Sequence, residues 1–304
     1  MRILANAMRA HRGARQVDRG AVWAFAPVVA MVPFSLLALF VIWLPIGWAT
    51  ALSYWWFVLA FLVAGLGLFV RPIQVLVLTP LLGARRPTAA EAAIIEPLWD
   101  RIARANDLPP SRFVVRVLPS DELNAFACGG HLVVVTTYAV DELSQGQLRG
   151  VLAHELSHHL GLHTVAITIG HWLSAPVVLL ARVGFFLENV AHAAAGSFGR
   201  RSPLISALGN VVAFVVNGFS WIFTAALRGS DALANLVGHS SEYEADRRAV
   251  RMGFGRELAS ALRQLLAGGS GGRPIGWRAR LGASHPPART RVARIEALMR
   301  HPAR

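Results

Sequence analysis

Two histidines and a glutamate stand at a spacing that suits metal-assisted hydrolysis. The run from 154 to 158 reads His-Glu-Leu-Ser-His. In a helix, His154 and His158 lie one turn apart on the same face, so both imidazoles can bind one Zn²⁺. Glu155 then lies beside the water held by the metal and can act as a general base. The pattern predicts a catalytic zinc site, because structural zinc sites usually have four protein ligands and seldom place a glutamate between two histidines.

A catalytic zinc also needs a third protein ligand and an open position for water. His163 follows the pair closely but lies on a different face of the helix. Glu242 and Asp246 are one helical turn apart in the run Glu-Tyr-Glu-Ala-Asp, and they share a face from which Glu244 points away. We expect Glu242 to bind the metal and Asp246 to fix the tautomer of a ligand histidine. His163 and Glu244 are the competing ligands.

The elements that position these residues predict a small, water-exposed α+β domain. Ser144 and Gln147 form an S-x-x-Q capping box, which begins the helix that carries the histidine pair. Apolar periodicity and β-branched runs supply the other elements. These are a helix over 89–105, strands over 113–118 and 132–138, and a last helix over 288–300.

Composition places another part of the chain in lipid. The 304 residues are 54% hydrophobic with a mean hydropathy of +0.46, which is too apolar for an ordinary soluble domain. Four stretches with little or no charge are long enough for membrane-crossing helices. The predicted spans cover 22–44, 51–70, 164–187 and 204–227, with a turn at Pro45 and Gly47. The predicted domains are an N-terminal transmembrane hairpin in 1–71, a second hairpin in 164–227, and a water-exposed domain divided between 72–163 and 228–304.

The positive charge is arranged around these spans. The formal net charge is +13, and every basic residue is an arginine. Basic flanks stay in the cytoplasm, so the arginines in 1–20 and 71–86 and Arg228 predict cytoplasmic termini and a cytoplasmic domain. Arg200 and Arg201 lie in the predicted outer loop and do not fit this orientation. The arginines are scattered without interleaved aromatic residues, which argues against nucleic-acid binding. A single arginine within the spans and no repeated half argue against a transporter.

The motifs resemble those of the family of HtpX heat-shock proteases and CAAX-prenyl endopeptidases, which are gluzincins. The likeness covers about 120–300 by motif and the N-terminal helices by layout only. Because the chain is short and has four predicted spans, it resembles the HtpX proteases more than the CAAX-processing enzymes. The glycine-rich segment 268–272 departs from the sequence pattern of the family. The matching segments are His154–His158, Glu242–Asp246 after an apolar hairpin, Asn124–Ala127 ahead of a strand, and Ser284–Pro287 with Arg291 beyond it.

The resemblance implies a fold and a set of site residues. The fold is a membrane α+β protein with about four transmembrane helices and a small zincin-type (gluzincin) metallopeptidase domain, mostly helical with a short β-sheet. We expect one Zn²⁺ per chain and a substrate that pairs with an edge strand around 131–137. The expected site consists of the metal ligands His154, His158 and Glu242, the general base Glu155, the supporting Asp246, the oxyanion donors His285 or Arg291, and the groove residues Asn124, Ala125 and Phe126.

The resemblance also implies a role. We expect a multi-pass protein of the bacterial plasma membrane whose active site faces the cytoplasm. Its partners are the lipid bilayer and polypeptide substrates, chiefly membrane or misfolded proteins, which suggests quality control under stress. Two other readings stay open: a catalytically inactive zinc-binding membrane scaffold, and a CAAX-type prenyl-protein peptidase.

Overall fold

The computed structural model describes residues 23–161, 163–198, 203–267 and 286–301. Contacts divide the chain into two units. Among the described residues, the sheet unit comprises 23–25, 66–161, 163–168, 235–267 and 286–301, and the helical unit comprises 26–65, 169–198 and 203–234. The elements are α1 (Ala26–Thr50), α2 (Tyr54–Gly67), α3 (Arg71–Leu81), α4 (Ala89–Ala105), β1 (Val114–Leu118), β2 (Ala125–Cys128), β3 (Leu132–Thr136), α5 (Thr137–Glu142), α6 (Gln145–Leu160), α7 (His163–Phe198), α8 (Pro203–Arg251), α9 (Gly255–Ala267) and α10 (Ala288–Arg300).

The sheet has three strands in the order β1-β3-β2. Strand β3 runs parallel to β1 and antiparallel to β2, with Phe126 opposite Val134. The expectation that the segment 131–137 is an edge strand is therefore wrong, and β2 lies at the edge instead. All five residues of β3 are buried. The reason is visible in its composition, because a run of Leu and Val without polar alternation suits a strand covered on both faces.

Both faces of the sheet are packed. One face contributes Val133 and Val135 to the main core, which α4 and α6 complete with Ile95, Ile102 and Leu152. On the opposite face, a second cluster joins Leu82 and Ala84, which follow α3, to Leu132 and Val134 of β3. The sheet therefore separates the helix that carries the histidine pair from α3.

The two helices that flank the main core begin with capping boxes. Thr88 accepts a hydrogen bond from the Glu91 amide, and Glu91 accepts one from the Thr88 amide at 2.6 Å. Glu91 also forms an ion pair with Arg85 at 2.7 Å. Ser144 and Gln147 make the same reciprocal pair at the start of α6, which confirms the capping box read from the sequence. Each box satisfies amides that the first turn of a helix leaves without partners.

By length and composition, three helices among the described residues could cross a membrane, or four if the bent pair of α2 and α3 counts as one span. This number confirms the expectation of about four membrane helices. Helices α7 and α8 extend well past the predicted spans 164–187 and 204–227. The 49 residues of α8 form one continuous helix that carries Glu242 and Asp246.

The first membrane helix does not turn where the sequence predicted. It continues through Pro45 and Gly47. A Cβ on Gly47 would lie 2.4 Å from Cε2 of Trp43, whose indole donates a hydrogen bond to the carbonyl of Leu52 at 2.8 Å. Gly47 therefore admits the indole ring rather than a turn. The chain turns later, where Ala51 adopts a positive φ of 56°.

Candidate metal centre

Helix α6 presents two imidazoles to one buried point. The Nε2 atoms of His154 and His158 lie 3.2 Å apart, and the rings meet nearly edge to face. Both residues are buried, at 3% and 6% exposure. The i, i+4 spacing on a straight helix produces this approach, and the surrounding leucines of α6 hold the helix against the core.

Helix α8 brings a carboxylate to the same point. Glu242 Oε2 lies 3.3 Å from His154 Nε2, and Oε1 lies 3.2 Å from His158 Nε2. Ligands arranged as a tetrahedron about 2.0–2.1 Å from a zinc ion are about 3.3 Å from one another. All three separations therefore fit the donor set of a single Zn²⁺, and the three side chains form a group that could hold a metal ion.

Asp246 supports the first histidine from behind. Its Oδ1 lies 3.0 Å from His154 Nδ1, the ring nitrogen that faces away from Glu242. Burial and Arg291 lower the pKa of His154, but hydrogen bonds to Asp246 and Glu242 outweigh them and raise it to about 9. Burial alone would raise the pKa of Asp246, yet contact with His154 and Arg291 lowers it to about 2. The aspartate is therefore an anion that fixes the ring's orientation.

Arg291 lies inside this cluster. Its Nη2 and Nε donate to both oxygens of Asp246 at 2.7 and 3.0 Å, and Nη1 lies 3.3 Å from Glu242 Oε2. The side chain is buried. Burial lowers its pKa, but the carboxylates of Asp246, Glu242 and Glu155 outweigh burial and raise it. One guanidinium thus balances the negative charge that converges on the site.

The competing ligands read from the sequence lie elsewhere. Glu244 forms ion pairs with Arg247 and Arg251 at 3.2 and 3.1 Å. His163 Nε2 lies 3.1 Å from the hydroxyl of Ser241, and its ring packs beside that of His158 with centroids 5.4 Å apart. Neither belongs to the three-donor group found among the described residues.

The predicted general base lies on α6, and the predicted substrate-binding residues lie at or in the edge strand. Glu155 is buried next to His154 on α6. Asn124 precedes the edge strand, and its carbonyl accepts a hydrogen bond from the Thr136 amide at 3.0 Å. Ala125 and Phe126 lie in the edge strand itself. His285 lies outside the described residues.

Arg248, which the sequence did not single out, is buried and joins α6 to α8. Arg248 of α8 donates from Nη1 to the carbonyl of Ser157 at 3.2 Å, and it lies so close to Gly161 that a Cβ there would be 2.1 Å from Nη1. A cation at the C-terminal end of α6 also complements the helix dipole. No local signal points to this contact, since Ser157 and Arg248 are 91 positions apart.

This chain is similar to several known proteins. "Protease HtpX homolog" of Salinibacter ruber is 29% identical over 246 residues, which cover 71% of this chain and 78% of that protein. "Protease HtpX homolog" of Moorella thermoacetica is 26% identical over 234 residues, covering 75% and 73%. The crystal structure of S. mikatae Ste24p aligns with a TM-score of 0.49 and 19% identity, covering 84% of this chain and 61% of that one.

The family comparison covers the whole site. The model described as "Peptidase family M48" matches residues 89–299, a range that includes α4, the sheet, α6, α8 and Arg291. With its apolar helices and its buried group of two histidines and a glutamate, this chain belongs to peptidase family M48.

Proposed function

We propose that this chain is a zinc-dependent endopeptidase. The observation that carries the proposal is the set of three mutual separations, 3.2, 3.2 and 3.3 Å, among the donor atoms of His154, His158 and Glu242. Each of the three side chains is buried, so the site is shielded from bulk water on most sides. A set of two imidazoles and one carboxylate leaves the fourth position of a tetrahedral zinc open, as catalysis requires.

Glu155 is the proposed general base. When bound, zinc would polarise the scissile carbonyl and lower the pKa of the attacking water. The Glu155 carboxylate takes a proton from that water and then delivers it to the leaving amine. Asp246 holds the His154 ring in place throughout. We propose that His285 or Arg291 donates a hydrogen bond to the oxyanion. Arg291 donates to Asp246 through Nε and Nη2, and its Nη1 lies 3.3 Å from Glu242 Oε2.

The edge strand is the proposed substrate-binding element. In the described part of the chain, β2 pairs with β3 on one side only. Its outer edge therefore offers backbone groups to an extended polypeptide, which can join the sheet as a further strand. Asn124, Ala125 and Phe126 lie at or in this strand, and we propose that they contact the substrate.

We propose that the substrates are membrane or misfolded proteins, cleaved at the cytoplasmic surface of a bacterial plasma membrane. Two features support this. Glu242 and Asp246 lie on the same continuous helix as a candidate membrane span. The arginine-rich flanks of the spans favour a cytoplasmic domain. A role in protein quality control under stress follows from this combination and from the likeness to proteases named HtpX.

The proposal is tested with the full chain in lipid nanodiscs. Wild type should cleave unfolded casein and a model membrane protein, lose cleavage with a chelator, and regain it with Zn²⁺. Glu155→Gln should keep one zinc per chain by metal analysis and lose about 10²–10⁴-fold in rate, the usual contribution of a general base. Wild type that binds zinc but cleaves nothing would favour the inactive scaffold. Cleavage confined to prenylated peptides would favour the CAAX-type peptidase. Unchanged cleavage by Glu155→Gln would refute the general-base assignment.

A further inference from the structure

Helix α3 exposes apolar side chains and buries a polar one, which is the reverse of a helix that faces water. The residues on its outer face are apolar and exposed: Ile73 at 43%, Leu76 at 76%, Val77 at 42% and Leu81 at 61%. The buried residue of the helix is a glutamine, Gln74, with no exposed surface. A helix in water shows the opposite arrangement, with polar residues outside and apolar residues inside.

The buried glutamine fixes which face turns outward. Gln74 Nε2 donates a hydrogen bond to the carbonyl of Leu68 at 2.9 Å. The amide also lies against Gly129 in the turn between β2 and β3, where a Cβ would come within 1.7 Å of Nε2. Gly129 has a φ of +63°, so a side chain there is excluded by both space and backbone conformation. Leu78, on the same side of α3, packs on the cluster around β3. The apolar outer face is thus a consequence of how α3 docks on the sheet.

We propose that the outer face of α3 lies in the lipid bilayer, with the helix along the membrane interface. Two observations favour lipid over a protein cover. The apolar helix α2 ends only a few residues before α3 begins, and the two count together as one candidate membrane element. The exposed Arg71 and Arg86 flank the apolar residues of α3 in the sequence and can pair with anionic headgroups. At 11 residues, α3 is about 16 Å long, roughly half the thickness of the hydrocarbon core, so it is too short to span the bilayer and suits the interface.

This inference goes beyond the peptidase proposal and does not depend on it. It assigns a membrane-contacting surface to the sheet unit itself, on the side of the sheet opposite α6. Through Gln74 and Gly129, that surface is joined to the turn that follows the edge strand β2. A lipid-bound α3 would therefore hold the end of β2 near the bilayer.

Spin-label accessibility in the full chain tests the proposal without reference to activity. Single cysteines replace Ile73, Leu76 and Leu81 in a Cys128→Ala background, with the protein in liposomes of phosphatidylethanolamine and phosphatidylglycerol. Labels are compared with a lipid reference at Phe214, which is 80% exposed on a candidate span, and a water reference at Arg104, whose side chain is 70% exposed. Only variants that keep the thermal unfolding midpoint of the parent are used.

The α3 labels should collide several-fold more often with oxygen than with a water-soluble nickel chelate, as the Phe214 label does, while the Arg104 label should show the reverse. Labels on α3 that follow the Arg104 pattern would overturn the proposal, because the face would then be in water. Labels shielded from both reagents would overturn it in favour of a second copy or another protein as the cover.

Discussion

Asp246 Oδ1 lies 3.0 Å from Nδ1 of His154, on the side of the imidazole opposite the Nε2 atom that faces Glu242. The two nitrogens of this ring therefore have different partners: Nε2 faces the proposed metal position, and Nδ1 is held by an anion. Because α8 supplies both Asp246 and Glu242, a single helix sets the position of one proposed ligand and the orientation of another.

Asp246→Asn should weaken zinc binding by about 10–100-fold, the usual effect of removing an anion behind a ligand histidine. The amide keeps the shape of the side chain but loses the charge that pairs with His154 and Arg291. The measurement is a competition titration between the purified protein and a chelator of known affinity. Equal zinc affinity in Asp246→Asn and wild type would show that Asp246 does not support the ligand.

Glu242→Gln and Glu244→Gln form a matched pair on one helix. The first removes a donor from the three-ligand group, so stoichiometric zinc should be lost together with cleavage. The second removes the ion pairs of Glu244 with Arg247, Arg248 and Arg251 and should keep one zinc per chain, because none of these residues belongs to the three-donor group. Metal analysis after gel filtration distinguishes them. Zinc retained by Glu242→Gln and lost by Glu244→Gln would reverse the ligand assignment.

Gly150→Ala should destabilise the sheet unit by about 1–3 kcal/mol, the usual cost of overpacking. A Cβ at Gly150 would lie 2.4 Å from the Leu258 backbone nitrogen, where α6 crosses α9, and a backbone cannot rotate aside. Gly146→Ala is the control on the same helix, since its nearest contact would be an ordinary 3.8 Å. That change should raise helix stability by up to about 1 kcal/mol. Thermal unfolding in detergent measures both, and equal midpoints for the two variants would contradict the backbone contact.

Glu91 should make stability depend on pH. Its hydrogen bonds with Arg85 lower its pKa from 4.5 to about 2, more than burial raises it. The folded state therefore binds the proton less tightly than the unfolded chain. The stabilisation is complete above about pH 4.5 and is lost as the pH falls toward 2.

Glu91→Gln isolates this charge, because an amide can still accept the capping hydrogen bond from Thr88. At neutral pH the variant should be less stable than wild type by under about 1 kcal/mol, since Arg85 is partly exposed. The difference in unfolding midpoint should shrink as the pH is lowered from 5 to about 2.5. A difference that stays constant over that range would exclude the ion pair as its source.

Much of the fold and of the site could be predicted from the sequence because the signals are local. The 3.6-residue repeat puts His154 and His158 on one face, a capping box marks where α6 begins, and long uncharged runs mark membrane helices. These features depend on neighbours within a few positions. The same helical repeat places Glu242 and Glu244 on different faces of their helix.

Tertiary structure decided what depends on packing between distant segments. The position of β3 at the centre of the sheet and the contact of Arg248 with α6 are each set by partners that local spacing does not encode. Arg291 is the clearest case: the sequence shows an arginine on the last helix, and only the fold surrounds it with carboxylates. A buried charge is stable only where its counter-charges converge, and that convergence is a property of the folded chain.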